Sequence, residues 1–164
     1  MSELVEVLIG DSAHARPAQI LEGLTAELVH GEVAGAPHTI YQELWHMAFW
    51  QQMTLEWIAG LETAYPLHPS AAFPSEAETS REDWDQLRER FSDGSGKAAA
   101  AARDAEQLTR LVRCPSRPPL PARTMTVREQ LESLGAHNAY HFGRIVLLRQ
   151  LLGAWPPPSG GYSW

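Results

Sequence analysis

Residues 126–153 read TVREQLESLGAHNAYHFGRIVLLRQLLG, and this stretch decides the fold. Thr126 and Glu129 have the spacing of a capping box, in which the cap hydroxyl and the N3 side chain each satisfy the other's free backbone N–H. Gly153 stands where a helix C-terminal glycine is expected. Between these signals the apolar residues recur with a helical period. On an ideal helix, Leu134, Ile145, Leu148 and Leu152 fall within about 80° of His137, and His141 lies about 40° from it. Four-residue spacing puts the two rings one turn apart on one side of a helix. Both histidines therefore occupy the middle of the apolar face. The stretch predicts a buried helix near 126–152 that carries two imidazoles into the core.

Similar punctuation recurs upstream. Thr39 and Gln42 form a second capping box, and Gly60 ends a helix near 39–60. Trp50, Met53 and Trp57 gather within about 40° of His46 on that helix, while Ile40, Leu44, Leu55 and Ile58 make a second stripe. A helix apolar around most of its circumference is a buried one. Ser80 and Asp83 give a weaker start to a third helix near 81–112. Gly94 and Gly96 inside it predict a kink or a break. The first helix starts its stripe with Leu4, Val7 and Leu8, is broken somewhere in 10–16 between Gly10 and Pro17, and continues through Ile20, Leu21 and Leu24 to about 29. Period-2 alternation does not recur, so no strand is expected. The connections are 31–38, a long Pro-, Ala- and Ser-rich 61–79, and 113–125, where Pro118, Pro119 and Pro121 predict an extended run over the surface. A long link between helices 2 and 3 suits a bundle with a crossover. The reading is all-α: one four-helix bundle over 1–153 with a long crossover between helices 2 and 3. A Pro/Gly-rich tail over 154–164 follows, with aromatics placed to dock on the bundle or on a partner chain.

Composition agrees with one soluble globular domain of 164 residues, 44% hydrophobic and 20% charged. The net charge of −7 argues against nucleic acid and against an anionic membrane surface. No apolar run approaches the roughly 20 residues that span a bilayer. Glu3 and Glu6 occupy the N-terminal residues without a basic n-region, so no secretion signal is expected. Cys114 is the single cysteine, which excludes an intrachain disulfide and fits a reducing cytoplasm. Arg113 and Arg117 beside it favour a thiolate, but it lies far in sequence from the histidines and reads as incidental.

Three imidazoles entering a core need partners, because each unmet donor or acceptor costs about 1–3 kcal/mol. A divalent metal shared by His46, His137 and His141 satisfies three acceptor nitrogens at once. Glu43, Gln42, Gln130 and Asn138 are the candidate acceptors for the outer N–H groups. Asn138 follows His137, so the Glu of the His-Glu-x-x-His metalloprotease motif is absent. Three neutral ligands leave coordination positions open, the arrangement of catalytic sites, and an open position can acidify water or hold a thiolate. Glu43 is a weak candidate for a general base, with a solvated carboxylate as its expected state. Arg144 and Tyr140 are the candidate substrate-binding residues. His14, His30, His38 and His68 fall in loops or helix ends and read as solvated, His14 being the one best placed to enter the cavity. Trp45, Trp50 and Trp57 read as core and dimer packing, and the run Ala98–Ala102 as close helix packing.

The segments PHTIYQELWH, residues 37–46, and HNAYHFGRIVLLRQLLGAWPPP, residues 137–158, resemble the DinB-like (YfiT-like) family of metal-dependent enzymes over nearly the whole chain. The resemblance implies a four-helix bundle, commonly a homodimer, with a three-histidine site for nickel, zinc or a similar divalent ion. Carried over by position, the ligands are His46, His137 and His141. Relatives imply transfer of a low-molecular-weight thiol to an electrophile. A metal-dependent hydrolase, or a non-catalytic metal-binding stress protein, are the alternatives. Position 144 departs from the family, which more usually has Gln; an Arg there repels a cation or recruits an anionic substrate.

Overall fold

A computed structural model describes residues 2–10 and 14–160. Its long helices begin where the chain supplies a cap. Thr39 caps α4 (Ile40–Ile58), with Gln42 reciprocating, and Thr126 caps α8 (Val127–Leu151), with Glu129 reciprocating. Between them lies α6 (Trp84–Arg103). The N-terminal region is divided into α1 (Glu3–Ile9), α2 (Pro17–Ile20) and α3 (Ala26–Val29). The bundle closes as a ring: α4 packs on α6 and α8, and α1 packs on the same two helices from the other side. Thus α1 is the short fourth member.

Several boundaries differ from the sequence reading. The first helix is interrupted a second time, at residues 21–25, because Thr25 accepts from the Leu28 N–H and starts α3 afresh. Part of the expected first break, residues 11–13, lies outside the described residues. The third helix starts at Trp84, with Asp83 itself as the cap and Gln86 as its partner. A separate box, Ser75 with Glu78, caps α5 (Glu76–Thr79). α6 runs unbroken through Gly94 and Gly96. It stops instead at Asp104, whose carboxylate accepts from Glu106 and Gln107 and begins α7 (Ala105–Thr109).

The expectation of no strand is corrected. β1 (Leu111–Cys114) pairs antiparallel with β2 (Arg123–Thr126), with Leu111 opposite Thr126 and Cys114 opposite Arg123. Only Val112 and Cys114 point inward from β1, too few to register as alternation. The three prolines lie in the loop joining these strands.

The expected tail begins as a docked segment. Arg149, 2% exposed, donates from Nε and Nη2 to the Ala154 carbonyl at 3.0 and 2.8 Å, and from Nη1 to the Ile20 carbonyl. Its guanidinium lies over the Trp155 ring. Ser159 donates to Glu22. Tyr162 and Trp164 lie outside the described residues. No helix among the described residues is long and apolar enough to cross a membrane.

Candidate metal centre

The centre forms where α4 crosses α8. His46 lies on α4, and His137 and His141 lie one turn apart on α8. Nε2 of His46 is 3.1 Å from Nε2 of His137. Ring centroids are 4.5 Å apart for His46 and His141 and 4.4 Å for His137 and His141. One ligand atom from each of the three lies within 4.8 Å of the others. His46 is 9% exposed and His141 5%. The helical wheels thus anticipate this cluster.

Outer contacts fix which nitrogens face inward. His46 donates from Nδ1 to the Ala72 carbonyl at 2.8 Å, and His141 donates from Nδ1 to Glu43 Oε2 at 2.6 Å. With the protons held there, each Nε2 carries a lone pair. Burial pushes His46 and His137 down to about 4, so both rings are neutral near pH 7. Nδ1 of His137 and Oδ1 of Asn138 are buried without a hydrogen-bond partner. Ring nitrogens converging from three histidines, two of them neutral, are a donor set that a divalent ion fits.

The sequence reading expected a solvated Glu43; the side chain is instead fully buried. One oxygen takes the His141 N–H and the other pairs with Arg144 Nη2 at 2.8 Å. Arg144 therefore meets a carboxylate behind the ring. Of the other candidate acceptors, Gln42 is used by the α4 cap, and Gln130 donates to the sulfurs of Cys114 and Met125.

Sequence reasoning missed the roof of the site. The long connection passes through a 3-10 turn (Pro69–Ala72) that delivers the Ala72 carbonyl to His46. Phe73 then stacks on the His46 ring at 4.3 Å, and His38 stacks on Phe73 at 3.8 Å. The stacked His38 ring is half-buried, not solvated as expected, and burial lowers its pKa. Phe73 follows Ala71 and Ala72 in a connection that also holds Leu61, Tyr65 and Leu67, so nothing in the sequence set it apart. His14 stops short of the cluster, with its ring 5.5 Å from Phe142. His30 packs on Tyr41, and His68 accepts from the Ser70 N–H.

Tyr140 is 62% exposed, with its ring set edge-on to His141 at 4.9 Å. Arg144 holds its guanidinium 5.8 Å over that ring. His137 also borders a cavity formed by other residues, among them Trp50 and Arg123. Cys114 is fully buried, and burial pushes its thiol pKa up. Its two arginine neighbours in sequence therefore do not make it a thiolate.

A sequence model of the DinB superfamily matches residues 11–145, a span that includes all three histidines. No curated protein matches the chain.

Proposed function

The chain belongs to the DinB superfamily, and we propose that it is a metal-dependent enzyme that transfers a low-molecular-weight thiol to an electrophile. His46, His137 and His141 hold the divalent ion in this reading, with nickel or zinc as the candidates. The observation that carries it is the 3.1 Å approach of two imidazole nitrogens whose rings burial keeps neutral. A divalent ion in such a site supplies Lewis acidity, which lowers the pKa of a thiol or water beside it.

The protein's own groups do the rest. Ala72 and Glu43 orient two of the ligand rings, and such outer contacts typically govern metal affinity by 10–100-fold. Phe73 covers one face of His46 and excludes water from it. Tyr140 and Arg144 flank His141 and are assigned to the polar thiol. In the transfer a carbon–sulfur bond forms, the leaving group departs with its bonding electrons, and the thiol proton passes to solvent. A hydrolase is the weaker reading, because Glu43, the carboxylate beside the ligands, is fully buried, with one oxygen bonded to His141 and the other facing Arg144, and a general base must reach the water whose proton it takes.

The apolar excess of α4 is spent inside the chain. The exposed Leu147 and Leu151 of α8 are the surface that supports a homodimer, and a monomer mass by light scattering would reject it. The cytoplasm is the proposed location.

The test is a panel of small bacterial thiols with electrophiles, set beside esters and amides, using metal-loaded and metal-stripped protein. Metal-dependent thiol consumption is expected. Ester or amide cleavage alone would favour the hydrolase. Silence in both panels with metal bound would leave a non-catalytic metal-binding protein.

A further inference from the structure

A cavity of about 320 Å³ opens beside His137, at the small end of the range for ligand sites. Its walls are aromatic. Trp50 and Tyr65 have ring centroids 5.0 Å apart, and Trp57 and Tyr65 are 6.4 Å apart and near-parallel. Trp57 is locked by donation from Nε1 to the Thr63 carbonyl at 2.9 Å. Trp50 stands edge-on to both His46 and His137, so one wall of the cavity is also a wall of the metal centre.

The polar lining has one sign. Arg123 borders the cavity and no Asp or Glu does, although acidic residues outnumber basic ones 20 to 13 in the chain. Arg117 lies over the Tyr65 ring, with its Nε buried and without a hydrogen-bond partner. Among the described residues no carboxylate pairs with Arg123 or Arg117, whereas their neighbour Arg113 is held by Glu62. An unneutralised guanidinium beside stacked aromatic rings complements a flat apolar body that ends in a carboxylate.

We propose that this cavity binds the electrophilic substrate, and that this substrate is a small apolar carboxylic acid anchored by Arg123 with its reactive end toward His137. The assignment of its reactive end rests on the transferase reading; the binding preference does not. Arg123 is a specificity-determining residue, exposed on β2, and its replacement leaves the core untouched.

The probes are 3-phenylpropionate and its uncharged amide, titrated by tryptophan fluorescence into full-length protein stripped of metal, where a carboxylate cannot bind through an ion. The carboxylate is expected to bind at least tenfold more tightly than the amide, with the preference shrinking as salt rises. Arg123→Gln is expected to abolish the preference with the thermal midpoint unchanged, and Arg123→Lys to keep part of it. Equal binding of acid and amide, a preference unmoved by Arg123→Gln, or no saturable binding of either probe would each overturn the proposal. Selective binding without thiol turnover would sink the transferase reading alone. Thiol turnover indifferent to a carboxylate on the electrophile would sink this proposal alone.

Discussion

Glu43 shows how much one side chain can carry. It is buried, accepts from His141 and faces Arg144. Glu43→Gln removes the charge that holds the His141 proton on Nδ1, and metal affinity should fall by about 10–100-fold, as measured by competition against a chelator. An unchanged affinity would mean that the ring needs no such support. The sequence made Glu43 visible as one of four possible acceptors and as a weak general-base candidate, and could not choose, because which polar side chain turns inward depends on the angle at which α4 meets α8. Cys114 makes the opposite point. Burial removes it from solvent and raises its pKa, so thiolate, the nucleophilic form, is scarce. A disulfide reagent at pH 8 should react slowly with native protein and rapidly after denaturation. Fast native reaction would contradict the packing of β1 against α4.

Helices are where the sequence reading was strongest, and α6 shows where it stopped. Gly94 and Gly96 look alike in sequence and both suggest weakness. In the structure a Cβ on Gly94 would lie 2.0 Å from Gln51 Nε2 and 2.8 Å from its Cδ, while a Cβ on Gly96 would meet nothing within 4 Å. Gln51 cannot simply swing away, since it donates to the Phe91 carbonyl at 2.8 Å and accepts from Ser95 Oγ at 3.0 Å. Gly94 is therefore a contact point between α4 and α6, not a kink. Gly94→Ala should destabilise by about 1–3 kcal/mol despite better helix propensity. Gly96→Ala should stabilise by up to about 1 kcal/mol. Urea unfolding of the two variants checks both signs. Capping boxes at Thr39 and Thr126 were legible because cap and partner are local in sequence. The stop at Asp104 was not, because the apolar and alanine pattern runs on past it. The strands were hidden by their length.

At the largest scale, four helices form a ring, with the histidine cluster set between α4 and α8. Arg149 ties the C-terminal end of α8 to the Ile20 and Ala154 carbonyls. Its guanidinium is buried, and burial lowers its pKa. Arg149→Met keeps much of the side-chain volume but strands both carbonyls, and should cost on the order of 3 kcal/mol in chemical denaturation. A loss below about 0.5 kcal/mol, the range of ordinary surface changes, would show that the 154–160 segment is not held as described. At this scale the sequence revealed the bundle, the long connection and the histidine faces. It did not reveal that the long connection roofs the centre, since nothing in the spacing of Ala72 and Phe73 points to His46. The central claim is that three imidazoles from two helices share one ion, and elemental analysis after equilibrium dialysis with zinc or nickel tests it most directly. About one ion per chain is expected in the wild type, with most of it lost in each of His46→Ala, His137→Ala and His141→Ala; full retention in any one of the three would contradict the shared site.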